Sequence, residues 1–184
     1  MKAFFPTLLM IGALQPAPAL AEPASPLLGT WAADIDRLPI PPEARPKSVT
    51  ITYSDVGGGQ WRTHVDVVLP DGKALQAIST YTPDGTPVKV AGNLEADTVA
   101  TRIPEPGVMI TALALGGVPG SMRTYTVSAD GQRMTETVVF FTKDGTPGMR
   151  TNLFNRVRPG QTASSLSISG APASSEEKRA PISR

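Results

Sequence analysis

Few side chains in this sequence have the reactivity for chemistry, and their spacing narrows what they can do. His64 is the single histidine, and it stands two residues before Asp66. Residues two apart on a strand share a face, so this pair has the layout of a general base with its orienting carboxylate. The surrounding Trp61-Arg62-Thr63-His64-Val65-Asp66-Val67 alternates apolar and polar. That alternation puts His64 and Asp66 on the polar face, outside and solvated. Glu136 interrupts an apolar run on a later strand. Turned inward it would be a perturbed carboxylate and a site candidate; it is expected on the outer face. Asp34 and Asp36 lack the further oxygen ligands of a calcium loop. Gly57-Gly58-Gly59 runs into Gln60-Trp61 instead of Lys followed by Ser or Thr, so it reads as a turn and not a phosphate loop. No serine sits in a Gly-x-Ser-x-Gly elbow. The chain has no cysteine, which excludes disulfides, Cys-ligated zinc, iron–sulfur clusters and thiol nucleophiles together. The residues therefore point to no catalytic side chain, no metal site and no cofactor.

The elements that would carry such residues occupy the middle of the chain. Met1–Ala21 has the pattern of a secretory signal peptide. Lys2 supplies the positive start, Ala3 to Leu14 the apolar stretch, and Ala19-Leu20-Ala21 the cleavage site, so Glu22 opens the mature chain. The apolar stretch is shorter than the ~20 residues of a membrane span, and no later segment supplies a transmembrane run. The protein is expected to be exported, periplasmic or extracellular. Lys plus Arg total 17 against 16 Asp plus Glu, a balance that argues against a nucleic-acid partner, which calls for a basic patch. Residues 159–184 are rich in Ser, Ala, Pro and Gly, a composition expected to be disordered. Residues 22–26 form a short lead, and 27–158 the folded domain.

Within that domain the hydrophobic period is two. Val, Ile, Thr and Tyr alternate with polar residues, and Asp-Gly recurs at 71–72, 84–85, 130–131 and 144–145, a strong hairpin signal. The pattern predicts about ten strands, near 28–33, 47–54, 60–69, 73–81, 86–90, 97–103, 107–115, 121–128, 133–142 and 149–157. No helical period intervenes. The fold expected is all-β, an antiparallel up-and-down barrel, closed so that no edge is exposed. Residues 34–46 carry four prolines, which forbid a long helix. This segment reads either as a lid across one barrel end or as a plain surface connection.

Gly29-x-Trp31 on the first strand, with Arg156 near the end of the last, resembles the calycin superfamily of lipocalins, fatty-acid-binding proteins and their relatives. In that superfamily a Gly-x-Trp packs under a basic residue of the final strand; Arg158 is the fallback here. Pro46-Lys47-Ser48-Val49-Thr50 and Thr82-Pro83-Asp84-Gly85 are similar to exported bacterial lipocalin-like proteins. The resemblance covers about residues 27–158. It implies a barrel around a small ligand, without the helical lid that the prolines forbid. A fatty-acid site would also carry an inward Arg–Tyr cluster, which the sequence does not locate.

A small barrel encloses packed side chains or one small ligand. The inward face is expected to present Tyr53, Trp61, Val65, Tyr81, Met122, Phe140 and Leu153 to a small apolar or amphipathic ligand. Small inward residues leave room for a cavity. Two other readings stand beside this one: a filled barrel serving as a structural or interaction module, and a lyase-type enzyme built on the same barrel.

Overall fold

The computed structural model describes residues 24–92, 94–158 and 160. The expected leader at 1–21 and nearly all of the expected tail lie outside the described residues. Eleven strands form one antiparallel sheet. They are β1 (Gly29–Ala33), β2 (Ser48–Gly57), β3 (Gln60–Val68), β4 (Ala74–Tyr81), β5 (Val88–Lys89), β6 (Ala91–Gly92), β7 (Thr98–Glu105), β8 (Val108–Leu115), β9 (Val118–Val127), β10 (Arg133–Phe141) and β11 (Pro147–Val157). The spatial order is β5-β7-β8-β9-β10-β11-β1-β2-β3-β4-β6, a meander in which β1 pairs with the last strand.

Turn chemistry explains the meander. The β2–β3 and β8–β9 hairpins each turn on two glycines at positive φ, Gly58-Gly59 and Gly116-Gly117, as a tight primed turn requires. At the Asp-Gly corners the aspartate accepts a backbone N–H two residues on: Asp71 from Lys73 at 2.9 Å, Asp84 from Thr86 at 2.8 Å and Asp130 from Gln132 at 3.0 Å. Such local bonds give the chain its bend before any packing occurs.

The sequence predicts ten strands in a closed barrel; the structure has eleven in a nearly closed one. The difference lies in the expected strand at 86–90. The chain there divides around Val90: β5 pairs with β7, while β6 pairs with β4. One short segment thus spans the gap between the two sheet edges. Gly92 permits it. At φ +131° it lies so close to β4 that a Cβ would come within 2.0 Å of the Gln76 carbonyl oxygen.

The opposite seam is where the first and last strands meet. Trp31 stands opposite Arg156 in the β1–β11 register. The Arg156 guanidinium lies 4.1 Å from the centre of the Trp31 ring, a cation–π contact. It also donates to the carbonyls of Leu28 at 2.7 Å, Gly131 at 2.5 Å and Pro26. The indole N–H donates to the Leu27 carbonyl at 2.9 Å. Gly29 makes room, because a Cβ there would meet Arg156 Nη1 at 2.8 Å. Trp31 and Leu27 are fully buried and pack with Ile51, Tyr53, Met109, Tyr125, Met134 and Phe154 into a core that plugs this end of the barrel.

The proline-rich segment follows β1 at the other end. It forms two single 3-10 turns, Ile35–Arg37 and Pro42–Ala44. Among the described residues there is no α-helix.

Trp31→Ala is expected to destabilise the barrel by ~3–5 kcal/mol, the range for removing a buried aromatic. Denaturant unfolding measures this; a loss below about 1 kcal/mol would mean that the plug contributes little.

Candidate functional site

Above the plug lies a cavity of about 290 Å³, just below the ~300 Å³ at which the range of ligand pockets starts. Its wall is mostly apolar. Val49, Ile51 and Tyr53 come from β2, Thr63, Val65 and Val67 from β3, and Ala77 from β4. Leu38, Pro39, Ile40 and Pro46 belong to the wall as well. The proline-rich segment is therefore part of the cavity and not a plain surface connection. A second hollow of about 220 Å³ adjoins the first; Glu95, Leu113, Arg123 and Arg150 border both.

One side of the wall is a buried polar cluster centred on Glu136, which is 2% exposed. Its Oε1 accepts the Tyr125 hydroxyl at 2.8 Å and Arg123 Nη1 at 3.2 Å. Its Oε2 accepts Asn152 Nδ2 at 2.6 Å. Arg123 also forms an ion pair with Glu95 through Nη2. A buried carboxylate is costly unless paired and hydrogen-bonded; here both oxygens are engaged. Burial alone would disfavour the Arg123 charge, but the oxygens of Tyr125 and Glu136 outweigh it and raise its pKa.

The tyrosines extend this network. Tyr53 meets Tyr125 edge-on, with ring centres 6.1 Å apart and planes at 75°. Tyr81 shares a 2.7 Å hydrogen bond with Thr63 and donates to Met109 Sδ at 3.8 Å. Burial pushes the pKa of all three phenols up; for Tyr53 and Tyr125 the nearby Glu136 charge adds to it.

Glu136 is the main correction to the sequence reading, which places it outside. On β10 the inward residues are Met134, Glu136, Val138 and Phe140, all in one phase. Period two allows no exception for a charge, and donors from β9 and β11 make its burial tolerable. On β10 the expected inward Phe140 shares the phase of Glu136, but on two other strands the phase is opposite to expectation. On β9, Arg123 and Tyr125 point inward, and Met122 is 56% exposed on the outer face. On β11, Asn152 and Phe154 point inward, leaving Leu153 half-buried on the outside.

The other expected lining residues divide three ways. Tyr53 and Val65 line the main cavity. Phe140 borders the second hollow, with Arg150 stacked over its ring at 5.7 Å. Tyr81 is buried in the interior, and Trp61 is half-buried against the core beside the plug; neither borders the main cavity. His64 and Asp66 lie on the outer face of β3, with Nε2 and Oδ1 3.3 Å apart and both side chains more than a third exposed.

Residues missed by sequence reasoning are Arg123, Tyr125, Asn152 and Glu95. Arg123 and Tyr125 stand two apart on β9 and share its inward face. The available signal was charge complementarity: Arg123 on one strand and Glu136 on the next are opposite charges able to satisfy each other inside.

No group of three or more His, Cys, Asp or Glu among the described residues is placed to hold a metal ion. Nor is any helix among them long and apolar enough to cross a membrane.

No known family model matches the sequence, and no curated protein matches it. Solved structures do. A point variant of the fluorescent protein UnaG aligns with a TM-score of 0.47 at 11% identity, covering 72% of this chain and 97% of that one. A second UnaG variant aligns with a TM-score of 0.44 at 11% identity, covering 71% of this chain and 95% of that one.

The raised phenol pKa values give a test with a definite sign. The chain has three tyrosines in all. Unfolded, they release protons near pH 10.0; folded, they hold them to higher pH. The unfolded state thus binds fewer protons above pH 10, and stability falls as pH rises there. Ultraviolet titration should find less tyrosinate at pH 10 in the folded barrel than three free phenols would give, and its cooperative appearance on unfolding. Stepwise ionisation of folded protein would show the phenols to be solvated.

Proposed function

We propose that this chain is an exported, calycin-like barrel that holds one small apolar or amphipathic molecule without transforming it. The observation that carries the reading is the cavity: about 290 Å³ of space above a plugged base, walled by small and branched apolar residues. A filled structural barrel would have used larger side chains at Val49, Val65, Val67 and Ala77 and left no such space. The enzyme reading requires a reactive group facing that space. Glu136 does face it, yet its oxygens already accept bonds from Tyr125, Arg123 and Asn152. Three of its roughly four lone-pair sites are thus taken by donors that fix it in place, so it serves as an anchor. Export rests on the pattern of residues 1–21. The superfamily reading rests on Gly29, Trp31 and Arg156, whose stack has the form the resemblance implies.

Native mass spectrometry of the chain purified from an exporting host tests both parts. The expected spectrum is that of a chain beginning at Glu22, with a reproducible added mass that disappears on denaturation. A retained leader would overturn export. A bare mass that stays bare in excess 1-N-phenylnaphthylamine, a neutral apolar fluorophore, would overturn the carrier reading.

A further inference from the structure

Two carboxylates converge on one partly buried guanidinium. Arg123 meets Glu136 inside the barrel and Glu95 at its rim. The side chain of Glu136 is 3% exposed and that of Glu95 59% exposed. The deep, desolvated partner of Arg123 is therefore a residue of the chain itself, fixed from the other side by Asn152 and Tyr125. An anionic head entering the cavity would find this cation already neutralised and a second protein carboxylate beside it. Like charges repel strongly where water is excluded. The other cation on the cavity wall among the described residues is Arg150, which is exposed and stacked on Phe140. The wall also carries hydroxyls, among them those of Ser79, Thr101 and Thr111, which can donate to or accept from an uncharged head.

We propose that Glu136 sets the ligand class: by occupying Arg123 it makes the cavity selective for amphipaths with an uncharged polar head, such as an alcohol, ester or amide, over free acids. This rests on the ligand-binding reading above. Glu136 acts here as a specificity determinant through an internal ion pair, with no chemical step.

The experiment uses 1-N-phenylnaphthylamine fluorescence on the full exported chain, with displacement by decan-1-ol and by decanoate at neutral pH. An apolar cavity prefers the alcohol for reasons of solvation alone, so the informative quantity is how the alcohol-to-acid ratio moves on substitution. In Glu136→Gln, decanoate should gain tenfold or more while decan-1-ol changes less than about twofold. In Glu95→Gln, which removes a largely solvated charge and leaves the interior intact, decanoate should gain a smaller factor of about two to five. Should Glu136→Gln lose its cooperative unfolding transition, Glu95→Gln decides alone. An unmoved ratio in the folded variants overturns the proposal, as does wild-type protein that binds decanoate as tightly as decan-1-ol. Failure of the wild type to bind the fluorophore overturns the ligand-binding reading and this proposal with it. An unmoved ratio with the fluorophore still bound overturns this proposal alone.

Discussion

The stack of Arg156 on Trp31 is the contact on which the rest of the barrel depends. It ties the last strand to the first, 125 positions apart in sequence by their numbering, and it does so with one side chain that bonds three carbonyls. A meander of hairpins is built from local turns and needs little help to form sheet. Curling that sheet until its ends meet is the non-local step. A guanidinium suits this task, because its planar face covers the indole while its edge donors reach backbone that has no strand partner. Once β1 and β11 are joined, the plug core closes one end, and the space above it becomes an interior.

That interior shows how a buried charge is accommodated by donors from the protein itself. Glu136 sits in the apolar phase of β10, yet its neighbours on both sides supply donors: Arg123 and Tyr125 from β9, Asn152 from β11. The cluster is spread across three adjacent strands, so it holds only while their registers hold. A slip of one residue on any of them would turn a partner to the outside. The polar cluster thereby also specifies which register the barrel adopts.

Much of the fold was legible in the sequence, because period two and turn chemistry are local signals. Asp-Gly pairs and glycine turns located the hairpins, and Gly29, Trp31 and Arg156 located the seam. The phase of individual strands was harder. On β11 both Leu153 and Phe154 are apolar, and hydrophobicity alone does not choose between them. Arg156 does: once it faces Trp31, alternation carries Phe154 and Asn152 inward and leaves Leu153 outside. On β9 the charge of Arg123 argued for the surface, and only its pairing with Glu136 across the sheet reverses that argument. The split of the expected strand at 86–90 depends on the close approach of Gly92 to β4, a tertiary contact with no local signature.

The divided segment around Val90 gives the barrel two unequal seams. On one side β1 and β11 share a continuous ladder from Thr30 to Ala33 over the stacked arginine. On the other, β4 and β7 are linked through two-residue pairings on either side of Val90, with a single bridge between Asp84 and Arg102 beyond them. Amide protons should therefore exchange fastest along that second line, and the wall should breathe there first while the plugged base stays shut.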